Sequence, residues 1–436
     1  MKNRCYFLYF LCFLSANNLW AQLQSGPMVG YSDMREVMLW AQTSQPAKVK
    51  FVYWDLASPA KKFSTDEVNT QKQTAYTARL IADQVLPGKK YGYELLINGK
   101  KVARPYPLEF QTQVLWQWRT DPPAFKFVFG SCAYVNEPEF DRPGQPYGAG
   151  YEIFTTIHQQ KPDFMVWMGD NTYTREGDWN TRTGVLHRYT HTRSLPEMQP
   201  LLASTHHYAT WDDHDFGPDD SDRSFWLKPV TLEAFKLFWG NPNYIFDEGV
   251  TSTFHWADVQ FFMLDGRYFK SPNHNSVMER TMLGKQQLDW LIDALTYSKA
   301  TFKFIVIGGQ VLNPAAVVEN YATYPEEREK LLRLITAAKV PGVIFLDGDR
   351  HHAVLSKLER DGTYPLYDFT ASPMTAGPAK PTENNYLQVP GTLFTERNFA
   401  LAEVSGPLKD RVLKVSIMDT QGKVIWMREL KASELK

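Results

Sequence analysis

Four stretches of this chain repeat one pattern: an apolar run of strand length, followed at once by side chains that bind metals or move protons. Residues 125–132 end at Cys132, residues 164–173 carry Asp170 and Tyr173, residues 209–216 carry Asp213 and His214, and residues 343–352 carry Asp349 and His351. A buried strand ends where the backbone leaves the core, so the side chains just past its last apolar residue gather along one rim of a sheet. Carboxylate, phenol, thiol and imidazole are costly packing material but good cation ligands. The pattern therefore predicts a sheet-based chain with a cation cage at one rim.

The rest of the chain divides around that rim. From 22 to 121, short alternating or apolar runs (36–41, 49–54, 74–80, 90–97) are separated by turn residues such as Pro87-Gly88 and Asn98-Gly99, which predicts an antiparallel sandwich. Leu86 to Tyr93, a proline-glycine turn before a tyrosine-bearing strand, resembles a fibronectin-type or phosphatase-associated sandwich. Asp121-Pro122-Pro123 marks a boundary, because proline resists both helix interior and inner strand. From 122 to 436, strand candidates at 125–129, 164–168, 207–211, 259–264, 302–307 and 343–346 accompany helical periods over 284–298 and 325–339. Pro325 suits a first helical position. Strands alternating with helices predict an α/β domain, sheets with helices on their faces. Runs at 399–404, 411–418 and 423–428 predict a hairpin that closes the second sheet.

Residues 1–21 read as an export signal. Lys2 and Arg4 precede an apolar run from Tyr6 to Leu14 that is too short to span a bilayer, and Ala21 is the expected last residue. The expected location is periplasmic or secreted, with no lipid anchor and no transmembrane segment once the leader is gone, and the expected state is a monomer. The chain has 47 basic and 48 acidic residues, and Lys2 and Arg4 leave with the leader. That balance offers nucleic acid no attraction. Cys5 and Cys12 leave too, so Cys132 is the only thiol of the mature chain and no internal disulfide is expected. Either it is sealed in the core or it is bound to something, and its place at a strand end favours a ligand.

Each motif also has a plainer reading. An aspartate after glycine, as in Gly169-Asp170, often caps a turn, and Tyr173 alone is an ordinary rim aromatic; together they offer carboxylate and phenolate to one point. Asp212-Asp213-His214-Asp215 is more specific, since crowded acids repel unless a cation intervenes. One acid there would ligate while His214 faces substrate as acid or hydrogen-bond donor. If the backbone stays extended, Asp349 and His351 point to one side and grip one cation, leaving Arg350 and His352 to support or packing. Asp347 belongs near them. His206-His207 reads as structural. Gly308-Gly309 marks a close backbone approach. Arg267 is expected to pair with Asp265, with phosphate binding as its other reading.

Taken in this order, the Gly-Ser-Cys, Gly-Asp-x-x-Tyr, Trp-Asp-Asp-His-Asp and Gly-Asp-x-His blocks resemble those of the PhoD-like alkaline phosphatases, a branch of the calcineurin-like metallophosphoesterases. The resemblance implies a fibronectin-like sandwich followed by a four-layer αββα domain. It implies that Asp170 bridges two metals, that Asp213 stands where the wider superfamily has asparagine, that His214 is the catalytic histidine, and that Asp349 and His351 are ligands. Cys132 replaces an expected Asp-x-His. With Tyr173, it implies iron(III) plus calcium and disfavours zinc and manganese. Asn171 would donate to a phosphate oxygen, while Asp212, Arg350 and His352 would touch substrate or support the ligands.

Two functions follow as expectations. One is hydrolysis of a phosphoester substrate by metal-activated water, with monoesters, diesters and phospholipase D-like action on surface polymers or lipids all open. The other is a non-catalytic surface-binding protein stabilised by its metals.

Overall fold

The computed structural model describes residues 22–436; the expected export signal at 1–21 lies outside the described residues. Two sheets meet face to face. The larger has nine strands in the order Val424–Lys431, Val412–Asp419, Asn398–Ser405, Phe125–Gly130, Phe164–Met168, His206–Thr210, Leu23–Ser32, Val37–Thr43 and Thr77–Ala82. The smaller runs Ser252–Trp256, Val259–Met263, Lys303–Val306, Val343–Asp347, Leu366–Thr370 and Val354–Leu358.

Strands Phe125–Gly130, Phe164–Met168 and His206–Thr210 lie side by side and parallel, so Cys132, Asp170 and Asp213 leave the same rim one strand apart. In the second sheet, Val259–Met263, Lys303–Val306, Val343–Asp347 and Leu366–Thr370 are likewise parallel. Val343–Asp347, the third of these parallel strands in chain order, delivers Asp349 and His351.

Alternation along each strand builds the layers. Phe127, Phe129, Phe164 and Val166 face the second sheet, whereas Val128, Met165 and Trp167 pack with Ile153, Phe154, Leu201 and Phe235 from helical segments on the outer face. Between the sheets lies an aromatic slab: Phe127 meets Phe261 edge-on at 5.2 Å and Phe304 at 5.4 Å, and Phe164 meets Phe261 at 5.4 Å. Helices Lys285–Tyr297 and Pro325–Ala337 match the helical periods in the sequence and bury Leu288, Leu291, Leu331 and Ile335 in the same core. The result is the four-layer αββα arrangement. Among the described residues, no helix is long and apolar enough to cross a membrane.

Two features differ from the sequence reading. The N-terminal strands do not form a detached sandwich: Leu23–Ser32 pairs in parallel with His206–Thr210, Val29 opposite His206, and extends the large sheet. Strands Lys48–Asp55 and Lys90–Ile97 make the facing layer over their own core of Val49, Phe51, Leu95 and Phe110. His206 seals the junction. Its Nδ1 donates to Gly30 O at 2.8 Å and its Nε2 accepts from Gln111 N at 3.2 Å, and burial keeps it neutral, with its pKa lowered to about 4. The C-terminal strands likewise join the large sheet, pairing along Phe125–Gly130, and do not close the second one.

Arg411 anchors that edge. It is fully buried, holds Asp258 through two bonds of 2.8 and 3.1 Å, and donates to the carbonyls of Pro122, Pro123 and Gly406. Breaking a buried pair from one side leaves a stranded charge, costing about 3–5 kcal/mol. Arg411→Met is expected to lower the denaturant midpoint accordingly; an unchanged midpoint would show that the pair does not hold this edge.

Candidate metal centre

Beyond three of the four rim strands, all but His206–Thr210, the backbone turns left-handed. Cys132 has φ 59°, Asp170 53°, Asp349 64° and His351 54°. A residue with a Cβ occupies this region at about 1–3 kcal/mol, and such positions concentrate at functional sites. The turn folds each side chain back over the rim. Asp349 and His351 therefore converge, but by two left-handed residues and not by the extended alternation expected from sequence. Glycine supplies the clearance. Gly169 has φ 103°, and a Cβ there would lie 2.6 Å from Asp212 Cβ; one at Gly308 would fall on the Asp212 carboxylate, confirming the close approach expected at that strand end.

The donors form a connected series. Ligand atoms of Cys132, Asp170 and His351 lie within 4.8 Å of one another, as do those of Asp170, Asp213 and His214, and those of Asp212, Asp213 and Asp349. Asp170 thus belongs to two adjacent groups. Cys132 Sγ is 3.6 Å from Asp170 Oδ2, and Tyr173 Oη is 3.2 Å from His351 Nε2. His351 Nδ1 donates to Gly377 O at 2.6 Å. This fixes the tautomer and leaves the Nε2 lone pair for a cation.

The electrostatics show what the cluster lacks. Burial, then the Asp349 charge, pushes the Cys132 thiol up to about 12. Burial, then Asp213 and Cys132, holds Asp170 well above the carboxylate range, and burial with Asp170 does the same to the Tyr173 phenol. Asp349 is raised to about 7 by burial and by Asp212 and Asp213. Asp213 goes the other way: burial opposes it, but His214 and Arg267 outweigh that and hold it ionised. Asp213 Oδ1 and Asp349 Oδ2 are buried with no hydrogen-bond partner. Orphaned carboxylate oxygens beside a thiol, a phenol and an imidazole held in one tautomer fit cations that would displace the retained protons.

His214 sits at the mouth. Its ring stacks 4.2 Å from Tyr173, its Nε2 is 3.5 Å from Asp219 Oδ1, and its backbone N–H donates to Asp170 Oδ1 at 3.3 Å. It opens the short helix Asp213–Phe216, where Asp212 and Asp215 form a capping box.

Several other assignments change. Arg267 does not pair with Asp265, whose carboxylate takes the backbone N–H groups of Val250, Arg267 and Tyr268. The guanidinium binds Asp212 and Glu319, lies 3.8 Å from Asp213, and is buried. Asp212 accordingly supports the site through Arg267. Asn171, expected to donate to a phosphate oxygen, is buried and has its donors engaged: Nδ2 donates to Thr210 O at 2.7 Å, and its backbone N–H donates to Asp215. Arg350 turns to Glu383 at 2.8 Å, and buried His352 is lowered to about 4 by desolvation and Arg350. Asp347 is buried in the core, where burial and the Asp368 charge hold its carboxyl well above the carboxylate range, and it belongs to none of these donor groups. Sequence reasoning missed Glu319, which pairs with both Arg267 and Lys270, and the aromatic wall from 134 to 147. The loop residues among them follow no apolar strand, the signal that found the others.

A PhoD-like phosphatase domain matches residues 245–405, spanning the second sheet with Asp349 and His351. Over that span the chain is similar to the PhoD-like phosphatases. A second match, to a domain of unknown function (DUF7800), spans residues 20–115. Alkaline phosphatase D of Bacillus subtilis (strain 168) is 22% identical over 404 residues, covering 79% of this chain and 63% of that protein, so the chain spans less than two thirds of its relative. A solved structure of PhoD superposes with TM-score 0.75 at 17% identity, covering 95% of this chain and 91% of the other. A purple acid phosphatase from yellow lupin (Lupinus luteus) seeds superposes with TM-score 0.68 at 12% identity, covering 93% and 74%. At such identities these two structures share the fold.

The raised Asp349 gives a test of the cage as a charge trap. In chelator-treated protein the folded state keeps this proton up to about 7, while the unfolded chain releases it near 3.8. Its contribution to stability therefore falls as pH rises across that window. Asp349→Asn is expected to lose less stability than the wild type between pH 4 and 7 in denaturant titrations. Parallel profiles would contradict the buried-charge account.

Proposed function

We propose that this chain is an exported, metal-dependent phosphoesterase of the alkaline phosphatase D type. The observation that carries the reading is Asp170, one carboxylate shared by two adjacent groups of buried donors. Cys132, Asp170, Tyr173 and His351 would hold one ion, and a thiolate with a phenolate suits iron(III). Asp170, Asp213 and Asp349 would hold the other, an all-oxygen set suited to calcium. The names of the Bacillus relative and of the lupin structure agree with phosphate-ester chemistry.

When bound, such an ion pair acidifies water and offsets charge on the phosphoryl oxygens. The chain's own residues do the rest. The left-handed turns fix the donors, Arg267 holds Asp212 and neighbours Asp213, and the buried rim excludes bulk water. The water oxygen bonds to phosphorus, the ester P–O bond breaks, and the departing oxygen takes a proton from His214, giving phosphate and an alcohol. Among the described residues, His214 is the cage imidazole that both belongs to the Asp170 donor group and lines the open cavity, beside the Tyr173 phenol.

Asp170→Asn is expected to remove turnover of phosphate esters by at least about a thousandfold, measured with natively purified protein; full activity would refute the shared-ligand role. General acids contribute typically 10²–10⁴-fold. His214→Ala should lose about that much with alkyl leaving groups and far less with nitrophenol-like ones, whose oxygen departs without a proton. Equal losses across a leaving-group series would remove His214 from the acid role.

A further inference from the structure

A cavity of ≈ 270 Å³ opens directly above Tyr173 and His214, walled by Tyr134, Phe140, Tyr147 and Trp179, with Arg142 at its side. Cys132, Asp170, Asp213, Asp349 and His351 do not line it. It is therefore not the cage itself but the space on the proton donor's side of it. In an in-line displacement the group that departs lies beside the acid that protonates it, opposite the attacking water.

The walls are set before anything enters. Arg175 is buried, lies 4.3 Å over the Tyr134 ring, donates to Tyr134 Oη, Tyr173 O and Val135 O, and pairs with Asp141 at 2.9 Å. Tyr134 meets Tyr147 edge-on at 4.9 Å and Tyr173 at 5.0 Å. Phe140 and Tyr147 nevertheless remain 41% and 43% exposed. Large aromatic faces left open on a fixed frame offer stacking area at little ordering cost. Arg142 makes no hydrogen bond or ion pair among the described residues, and a guanidinium both stacks on rings and donates in plane. The volume lies just below the usual range of about 300–1,000 Å³ for small-molecule sites. It suits one ring system and its linker, not a polymer strand.

We propose that this vestibule is a leaving-group subsite that selects phosphate esters of alcohols carrying a planar ring, of nucleoside or aryl type. The proposal rests on the phosphoesterase reading for its hydrolytic consequence, but binding of the ring does not. Phe140 and Arg142 are specificity residues here, and neither enters the chemistry.

The test compares adenosine 5′-phosphate with glycerol 1-phosphate, both esters of primary alcohols, so the chemical step is matched and only the ring differs. With the full, metal-loaded chain, Phe140→Ala and Arg142→Ala are each expected to lower kcat/KM for the adenosine ester about tenfold, within the range for base–aromatic stacking, with glycerol phosphate changed less than about twofold. Calorimetry with adenosine alone is expected to show binding to the wild type that weakens in Phe140→Ala. Equal losses on both esters, or no loss on either, would overturn the subsite. Adenosine binding lost in Phe140→Ala with no ester hydrolysed by the wild type would uphold the subsite and sink the phosphoesterase reading instead.

Discussion

Like charges brought together out of water are the condition this structure has to meet. Asp170, Asp212, Asp213 and Asp349 share one buried rim with a thiol and a phenol, and each ionised group there raises the cost of ionising the next. Arg267 relieves part of this from behind, through Asp212 and Glu319. Asp213 Oδ1 and Asp349 Oδ2 still lack a hydrogen bond. On the proposed reading, cations would complete the balance and then act on phosphate. Stability and chemistry would then depend on one set of charges.

Geometry follows from where the strands stop. Parallel strands release their chain ends on one side, so three neighbours of the large sheet and one strand of the small sheet deliver ligands to a common point. The aromatic slab between the sheets sets their spacing, and the left-handed residues set the last few ångströms. Backbone placed this way is strained locally and is held by its surroundings: His351 N–H donates to Ser372 Oγ, and Ser372 Oγ donates to Cys132 Sγ. Rigidity of this kind lets a side chain such as His214 stay in register with the cage.

Much of this was legible in the residues. An apolar run followed by Asp, Cys or His marks a strand end because nothing else makes those neighbours compatible. That found Cys132, Asp170, Tyr173, Asp213, His214, Asp349 and His351, and the helical spacing of Leu288 to Leu295 found its helix. Support residues were less legible, because their partners are distant in sequence. Asp265 stands two residues from Arg267 yet spends its carboxylate on backbone N–H groups, so proximity in sequence misdirected the pairing. Asn171 follows a ligand but turns under the strand to Thr210. Asp349 and His351 carry no glycine to betray their left-handed backbone. The strand Leu23–Ser32 joined the large sheet because parallel pairing with His206–Thr210 leaves no local sequence mark.

The most direct measurement is elemental analysis of protein purified without added metal or chelator, joined to its visible spectrum. The expected result is two unlike ions per chain, one of them iron with a thiolate or phenolate charge-transfer band that disappears in Cys132→Ser or Tyr173→Phe. A fully folded, active protein that holds no metal, or whose ions survive both substitutions unchanged, would contradict the account.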